Sequence, residues 1–150
     1  LCYREEEREM IPLCRDQGIG LVPWSPLAKG FLAGKYARGK TPDSVRFRSD
    51  PYLAARYFRP EDYDVVEEVV RTAEEKDATP SQVALAWLLH KEVVAPIVSA
   101  TRVQHVEEAV QALGVRLGSD DIRRLEAPYK PHPIIGHDGL REAGIPEVHR

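Results

Sequence analysis

Long hydrophobic runs are missing from this chain. No apolar stretch in its 150 residues approaches the length of a membrane-spanning helix, and no signal-peptide pattern stands out, so no membrane partner is expected. Cysteine is scarce. Cys2 and Cys14 have neither metal-ligand spacing nor the numbers of a disulfide framework. The expectation is two free thiols in a reducing cytoplasm, and no metal. A basic stripe is also missing: 21 Lys and Arg stand against 24 Asp and Glu, for a formal net charge of −3. No Lys/Arg run is interleaved with aromatics, so no nucleic-acid partner is expected. The G-x-G-x-x-G fingerprint is absent, which removes the support for a Rossmann site. The chain opens on Leu1-Cys2-Tyr3-Arg4 without an initiator Met. That opening reads as a piece of a longer polypeptide, with tag removal or processing as the alternative.

What is present is an ordinary globular composition, 43% hydrophobic and 30% charged, long enough for one domain with a real core. The chain is organised around Gly20-Leu-Val-Pro-Trp-Ser-Pro-Leu-Ala-Lys-Gly30. A short apolar run, Ile19 to Val22, reads as a buried strand that delivers its C-terminal end to a Gly-punctuated loop. A second strand is expected from Val93 to Val98, made irregular by Pro96, and it runs directly into a helix start. Two parallel strands with loops at their C-terminal ends suggest an α/β protein that binds a ligand along that edge.

Helical patterns fill much of the rest. Glu5 to Gln17 carries an apolar stripe of Met10, Leu13 and Cys14, with Pro12 predicting a kink or a short first turn and Gly18 a stop. Pro60-Glu61-Asp62 opens a helix whose buried face is Val65, Val66, Val69, Val70 and Ala73. Thr79-Pro-Ser-Gln82 is a capping box before Val83–Leu89, which is apolar nearly all round and so buried on more than one side. Thr101 to Leu113 is expected as a helix with Val103, Val106, Val110 and Leu113 on one face. Ser119-Asp120-Asp121 is expected to cap a short last helix. Residues 24–60 read as a long loop, either a lid over a ligand site or a plain surface excursion, held by Phe31, Leu32, Tyr36, Tyr52 and Phe58. Residues 127–150 read as an extended tail.

Two places offer chemistry. At Thr101-x-x-Gln104 a second capping box would leave free N–H groups over residues 101–104, and with the helix dipole these suit an anion. Arg102 adds a bidentate donor fork and His105 lies one turn along. A phosphate is the natural guest; a plain capped helix with a solvated Arg fits the same residues. At the first junction Trp24 offers a flat face, Ser25 a hydroxyl, and Gly30 close backbone approach. A core tryptophan fits equally well there. Together the junctions suit the two ends of one elongated ligand, as a dinucleotide would be.

The stretches Gly18–Tyr36, Thr79–Leu89 and Pro96–Arg102, in this order and spacing, resemble the aldo-keto reductase superfamily, in particular the bacterial branch related to potassium-channel β subunits. The resemblance runs from about Leu1 to Ile135. It implies an α/β fold, the C-terminal part of a (β/α)8 TIM barrel, mostly helical with two or three short parallel strands, residues 1–150 being a single partial domain. A whole barrel needs about 250 residues. The resemblance also implies NADPH laid across the C-terminal edge. By it Trp24 would stack on the nicotinamide, and Ser25, Pro26, Leu27 and Gly30 would lie along the pyrophosphate. Ser99, Ala100, Thr101 and Arg102 would hold the 2′-phosphate, with His105, Glu108 and Ala109 near the phosphate and adenine. The family often has Arg or Gln where His105 stands, and Asn where Ala109 stands; an Ala side chain cannot hydrogen-bond adenine. The family's catalytic Asp, Tyr, Lys and His match no residue here, since Tyr3 and Lys35 fall at other positions. The implied function is reduction of aldehydes or ketones by the whole protein, this chain alone being inactive. The implied partners are a small carbonyl substrate, the preceding half of the barrel and, optionally, a second copy. A nucleotide-sensing regulatory subunit is the alternative. Expressed alone, the chain is expected to expose the Val83–Leu89 helix and to aggregate or dimerise.

Overall fold

The computed structural model describes residues 1–39, 47, 48, 50, 53 and 56–132. A single 3-10 turn, Glu5–Glu7, leads into helix α1, Met10–Asp16. The interruption expected at Pro12 falls earlier, before Met10. Pro12 then sits in the first turn, where its missing N–H has no helical acceptor to lose. Gly18 ends the helix at φ +64. The Ile19 N–H donates to the Cys14 carbonyl at 2.8 Å and the Gly18 N–H to Arg15 at 3.3 Å, so the last carbonyls are satisfied. Of the expected stripe only Cys14 is buried; Met10 and Leu13 are half exposed.

Helix α2 spans Pro60–Glu75 and α3 spans Pro80–Leu89. The Asp62 carboxylate accepts the Arg59 N–H at 3.0 Å. The α3 capping box forms as the sequence predicts: Thr79 Oγ1 accepts the Gln82 N–H at 3.2 Å, and Gln82 Oε1 accepts the Thr79 N–H at 2.8 Å. Every residue from Ser81 to Trp87 is buried. The reason is that α3 packs against α2 on one side and α4, Val103–Gln111, on another. This corrects the expected exposure of Val83–Leu89. Helix α5, Ser119–Glu126, packs on α2. Its N-cap is Gly118, not Ser119, with the Asp121 carboxylate accepting the Gly118 N–H at 2.8 Å.

The core gathers Val65, Val66 and Val69 of α2, Val83 and Trp87 of α3, Leu125 of α5, and Phe31 from the loop. Phe31 stands among aromatic rings, 4.8 Å from Phe58 and 5.2 Å from Tyr63, both edge-on. Phe31, Leu32, Tyr36 and Phe58 thus tie the loop to the core; Tyr52 lies outside the described residues, as do residues 133–150 of the tail.

Two corrections concern the sheet and α4. No regular strand is present among the described residues, where the sequence pattern predicts two or three. The α4 stripe of Val103, Val106, Val110 and Leu113 is exposed at 51–68%, because α4 meets α3 through its other side.

Candidate functional site

The two expected strands do lie side by side. The Val94 N–H donates to the Leu21 carbonyl at 2.8 Å, and the Ile97 N–H to the Pro23 carbonyl at 2.9 Å. A regular parallel ladder would use residue 96 opposite Pro23, two residues on along both segments. Pro96 has no N–H, so residue 97 donates instead and the pair slips by one residue. Pro23 likewise has no N–H to return to the Val94 carbonyl, so two hydrogen bonds form without a regular strand. Gly20 sits where the pair is tightest: a Cβ there would lie 2.8 Å from Val94 Cγ2. The pairing sets the geometry of the site. It places the end of the first segment, Trp24, beside the end of the second, so that both junctions open on one edge.

At the first junction Trp24 is 61% exposed, whereas Trp87 is 4% exposed, so Trp24 is not a core residue. Ser25, Pro26, Leu27 and Gly30 are half-buried behind it. The loop is wound tightly. Ser25, Ala28 and Lys29 all take positive φ, at 51, 48 and 57, as does Gly30 at 96. For the three residues with a Cβ, such a backbone is sustained only by a surrounding structure that over-determines it, and it is common at ligand clamps. The supports are visible: Ala28 N–H to Ser25 at 2.9 Å, Gly30 N–H to Leu27 at 2.8 Å, buried Phe31 and Leu32, and the Lys29–Asp50 ion pair at 2.5 Å.

At the second junction Ser99, Ala100, Thr101 and Arg102 are all exposed. The predicted Thr101–Gln104 capping box does not form. Helix α4 begins at Val103, with extended Arg102 (φ −143, ψ 153) at its N-cap and no side chain closing the first turn. The N–H groups of Val103 and Gln104 meet no acceptor among the described residues, and Arg102 has no carboxylate partner there. An open helix start beside an uncompensated guanidinium suits a dianionic group. His105 and Ala109 are half-buried along α4. Glu108 points elsewhere: its Oε1 accepts the Thr79 hydroxyl at 2.5 Å, which joins α4 to the α3 cap.

Sequence reasoning missed a chain of contacts that reaches Trp24 from the core. The Arg56 guanidinium lies over the Trp24 ring at 5.3 Å and over the Tyr3 ring at 5.4 Å. Tyr3 meets His132 edge-on at 6.0 Å. His132 Nε2 is 2.7 Å from Asp62 Oδ1, and both side chains are buried. No spacing in the sequence links residues 3, 24, 56, 62 and 132. Burial also pushes the Cys2 thiol and the Tyr57 hydroxyl each up to about 12, so both keep their protons at neutral pH.

Among the described residues the chain is mostly helical, with two parallel segments joined by two hydrogen bonds. The aldo/keto reductase family profile matches residues 1–130. The chain belongs to the aldo/keto reductase family. It is 44% identical over 140 residues to an aldo-keto reductase of Fusarium vanettenii, covering 91% of this chain and 36% of that one. It is 38% identical over 144 residues to the versiconal hemiacetal acetate reductase of Aspergillus parasiticus, covering 94% and 40%. Among solved structures, a thermostable aldo-keto reductase crystallised with the inhibitor epalrestat matches at a TM-score of 0.55 and 26% identity, over 83% of this chain and 35% of that one. The chain thus spans little more than a third of the relatives it matches.

Proposed function

We propose that these residues form the cofactor-binding edge of an NADPH-dependent reductase of aldehydes or ketones, the C-terminal part of its (β/α)8 barrel. The observation that carries this is the pairing of the two segments, which sets a solvent-facing tryptophan and an open, Arg-flanked helix start on one edge. In this reading the Trp24 ring stacks on the nicotinamide and fixes its plane. Ser25, Pro26, Leu27 and Gly30 flank the pyrophosphate. Arg102 and the free N–H groups of α4 hold the 2′-phosphate, the one group that separates NADPH from NADH. Ser99, Ala100 and Thr101 lead the chain into that cradle, and His105 and Ala109 lie toward the adenine. When bound, NADPH supplies the hydride for the carbonyl carbon. In this reading the proton for the carbonyl oxygen comes from residues outside this chain, since by the resemblance the family's catalytic Asp, Tyr, Lys and His match no residue here.

The test uses the intact protein, NADPH and a panel of simple aldehydes, with the alcohol product measured directly. Alcohol formed in step with NADPH consumed is the expected result. Tight NADPH binding without turnover of any aldehyde would sink the reductase reading and favour a nucleotide-sensing subunit.

A further inference from the structure

An indole ring has two faces, and Arg56 holds one of those of Trp24. The Arg56 guanidinium lies over the Trp24 ring at 5.3 Å and over the Tyr3 ring at 5.4 Å, so it is layered between two aromatics. Trp24 is exposed, and no second ring or cation contacts it among the described residues. The face turned away from Arg56 is the one left for a stacking guest.

Both sides of the layer tie back to the core. Tyr57, the next residue after Arg56, is buried and stacks on Phe31 at 6.1 Å, and its N–H donates to the carbonyl of buried Leu53 at 3.1 Å. Tyr3 is braced edge-on by His132, which Asp62 holds at 2.7 Å. The charge of Arg56 is also not offset. No hydrogen bond or ion pair among the described residues uses its donors, whereas Lys29 has Asp50 and Arg38 has Asp64 and Glu67.

We propose that Arg56, acting through Trp24, makes the site distinguish the two redox forms of the cofactor and favour the neutral reduced nicotinamide over the cationic oxidised one. This rests on the reductase reading for the identity of the ring stacked on Trp24. A cation on one face draws the π density of the indole toward itself and leaves less for a second cation on the other face. The two positive charges also repel across the indole, which keeps water from between them. The reduced ring carries no charge and feels neither effect. Arg56 thereby weakens the hold on NADP⁺ without weakening the hold on the hydride donor, so the spent cofactor leaves the more readily of the two. It is a positioning residue, since the indole separates it from the reacting atoms.

The test is a calorimetric titration of the intact protein with NADPH, with NADP⁺ and with 2′-phospho-ADP-ribose, which lacks the nicotinamide. Two neutral variants, Arg56→Gln and Arg56→Met, are each expected to tighten NADP⁺ about fivefold relative to NADPH. Arg56→Lys keeps the charge and is expected to move that ratio less than about twofold. The affinity for 2′-phospho-ADP-ribose is expected to be the same in every variant, with unchanged melting temperatures showing that they fold. A ratio that the neutral variants leave unmoved, a parallel loss of both redox forms, or an equal gain for 2′-phospho-ADP-ribose overturns the proposal and leaves the cofactor reading standing. A parallel gain for both redox forms overturns it too, by placing Arg56 on the face that the nicotinamide takes. No binding of either nucleotide by the wild type refutes the cofactor reading, and the proposal with it.

Discussion

Pro96 shows how far one side chain reaches. By withholding a single N–H it shifts the pairing by one residue and so sets where Ser99–Arg102 emerge. The irregularity was legible in the sequence, because proline cannot donate. The partner carbonyl, on Pro23, was not, because it lies in a distant part of the chain. Gly20 is the complementary case. Gly20→Ala would drive a methyl to within 2.8 Å of a stiff Val94 methyl. The expected cost is about 1–3 kcal/mol of stability by urea unfolding of the intact protein. A change below about 0.5 kcal/mol would show that the two segments part freely. Trp24 and Arg102 could be named from sequence as candidates, but only the fold showed both exposed. Arg102→Ala is expected to weaken NADPH binding about tenfold and NADH binding much less, since only NADPH carries the group Arg102 would hold. Equal losses for the two nucleotides would place Arg102 elsewhere.

Among elements, the helix starts were the most readable features and also the place of one clear failure. Thr79 and Gln82 satisfy each other's N–H groups as their spacing predicts. Thr101 and Gln104 have the same spacing and do not, because α4 begins two residues later, at Val103. The residue after each threonine makes the difference. Pro80 presets the first turn of α3, while Arg102 is itself extended (φ −143, ψ 153) and takes the N-cap place in α4. Thr79→Ala is expected to cost about 1 kcal/mol in unfolding experiments, with Thr79→Ser losing less. No loss would mean that the cap and the Glu108 contact contribute nothing.

Helix α5 adds a pH dependence. The Lys76 ammonium at 2.6 Å holds the Asp121 carboxyl below its ordinary range, helped by the Gly118 N–H and Arg124 against the opposing effect of burial. A lowered folded-state value means that the contribution to stability is full above the unfolded carboxylate range. It fades as the pH falls through the lowered value. Asp121→Asn should therefore flatten the acid limb of the stability profile while leaving its slope near neutrality alone. An unchanged acid limb would show that this ion pair contributes nothing to stability.

At the scale of the whole molecule, the apolar surface is the telling feature. Ile19, Val22, Val94, Ile97 and Val98 of the paired segments are 37–69% exposed, and the α4 stripe is exposed with them. The sequence pattern identified these residues as apolar faces correctly. It could not show that no element among the described residues covers them. The same pattern misplaced the exposure on Val83–Leu89, since an all-round apolar helix needs two neighbours and α3 finds both here. The chain expressed alone is expected to self-associate through the paired segments and α4, as followed by light scattering. Val106→Glu with Val110→Glu should reduce that association. A monodisperse wild-type monomer with a sharp melting transition would contradict it.

In the proposed reading one dinucleotide spans the edge from Trp24 to Arg102. Calorimetric titration of the intact protein with NADPH and with NADH is the test. The expected result is one site per chain, about tenfold tighter for NADPH, with that margin lost in Arg102→Ala and both affinities lowered in Trp24→Ala. No binding of either nucleotide, or equal affinity that neither substitution disturbs, would contradict it.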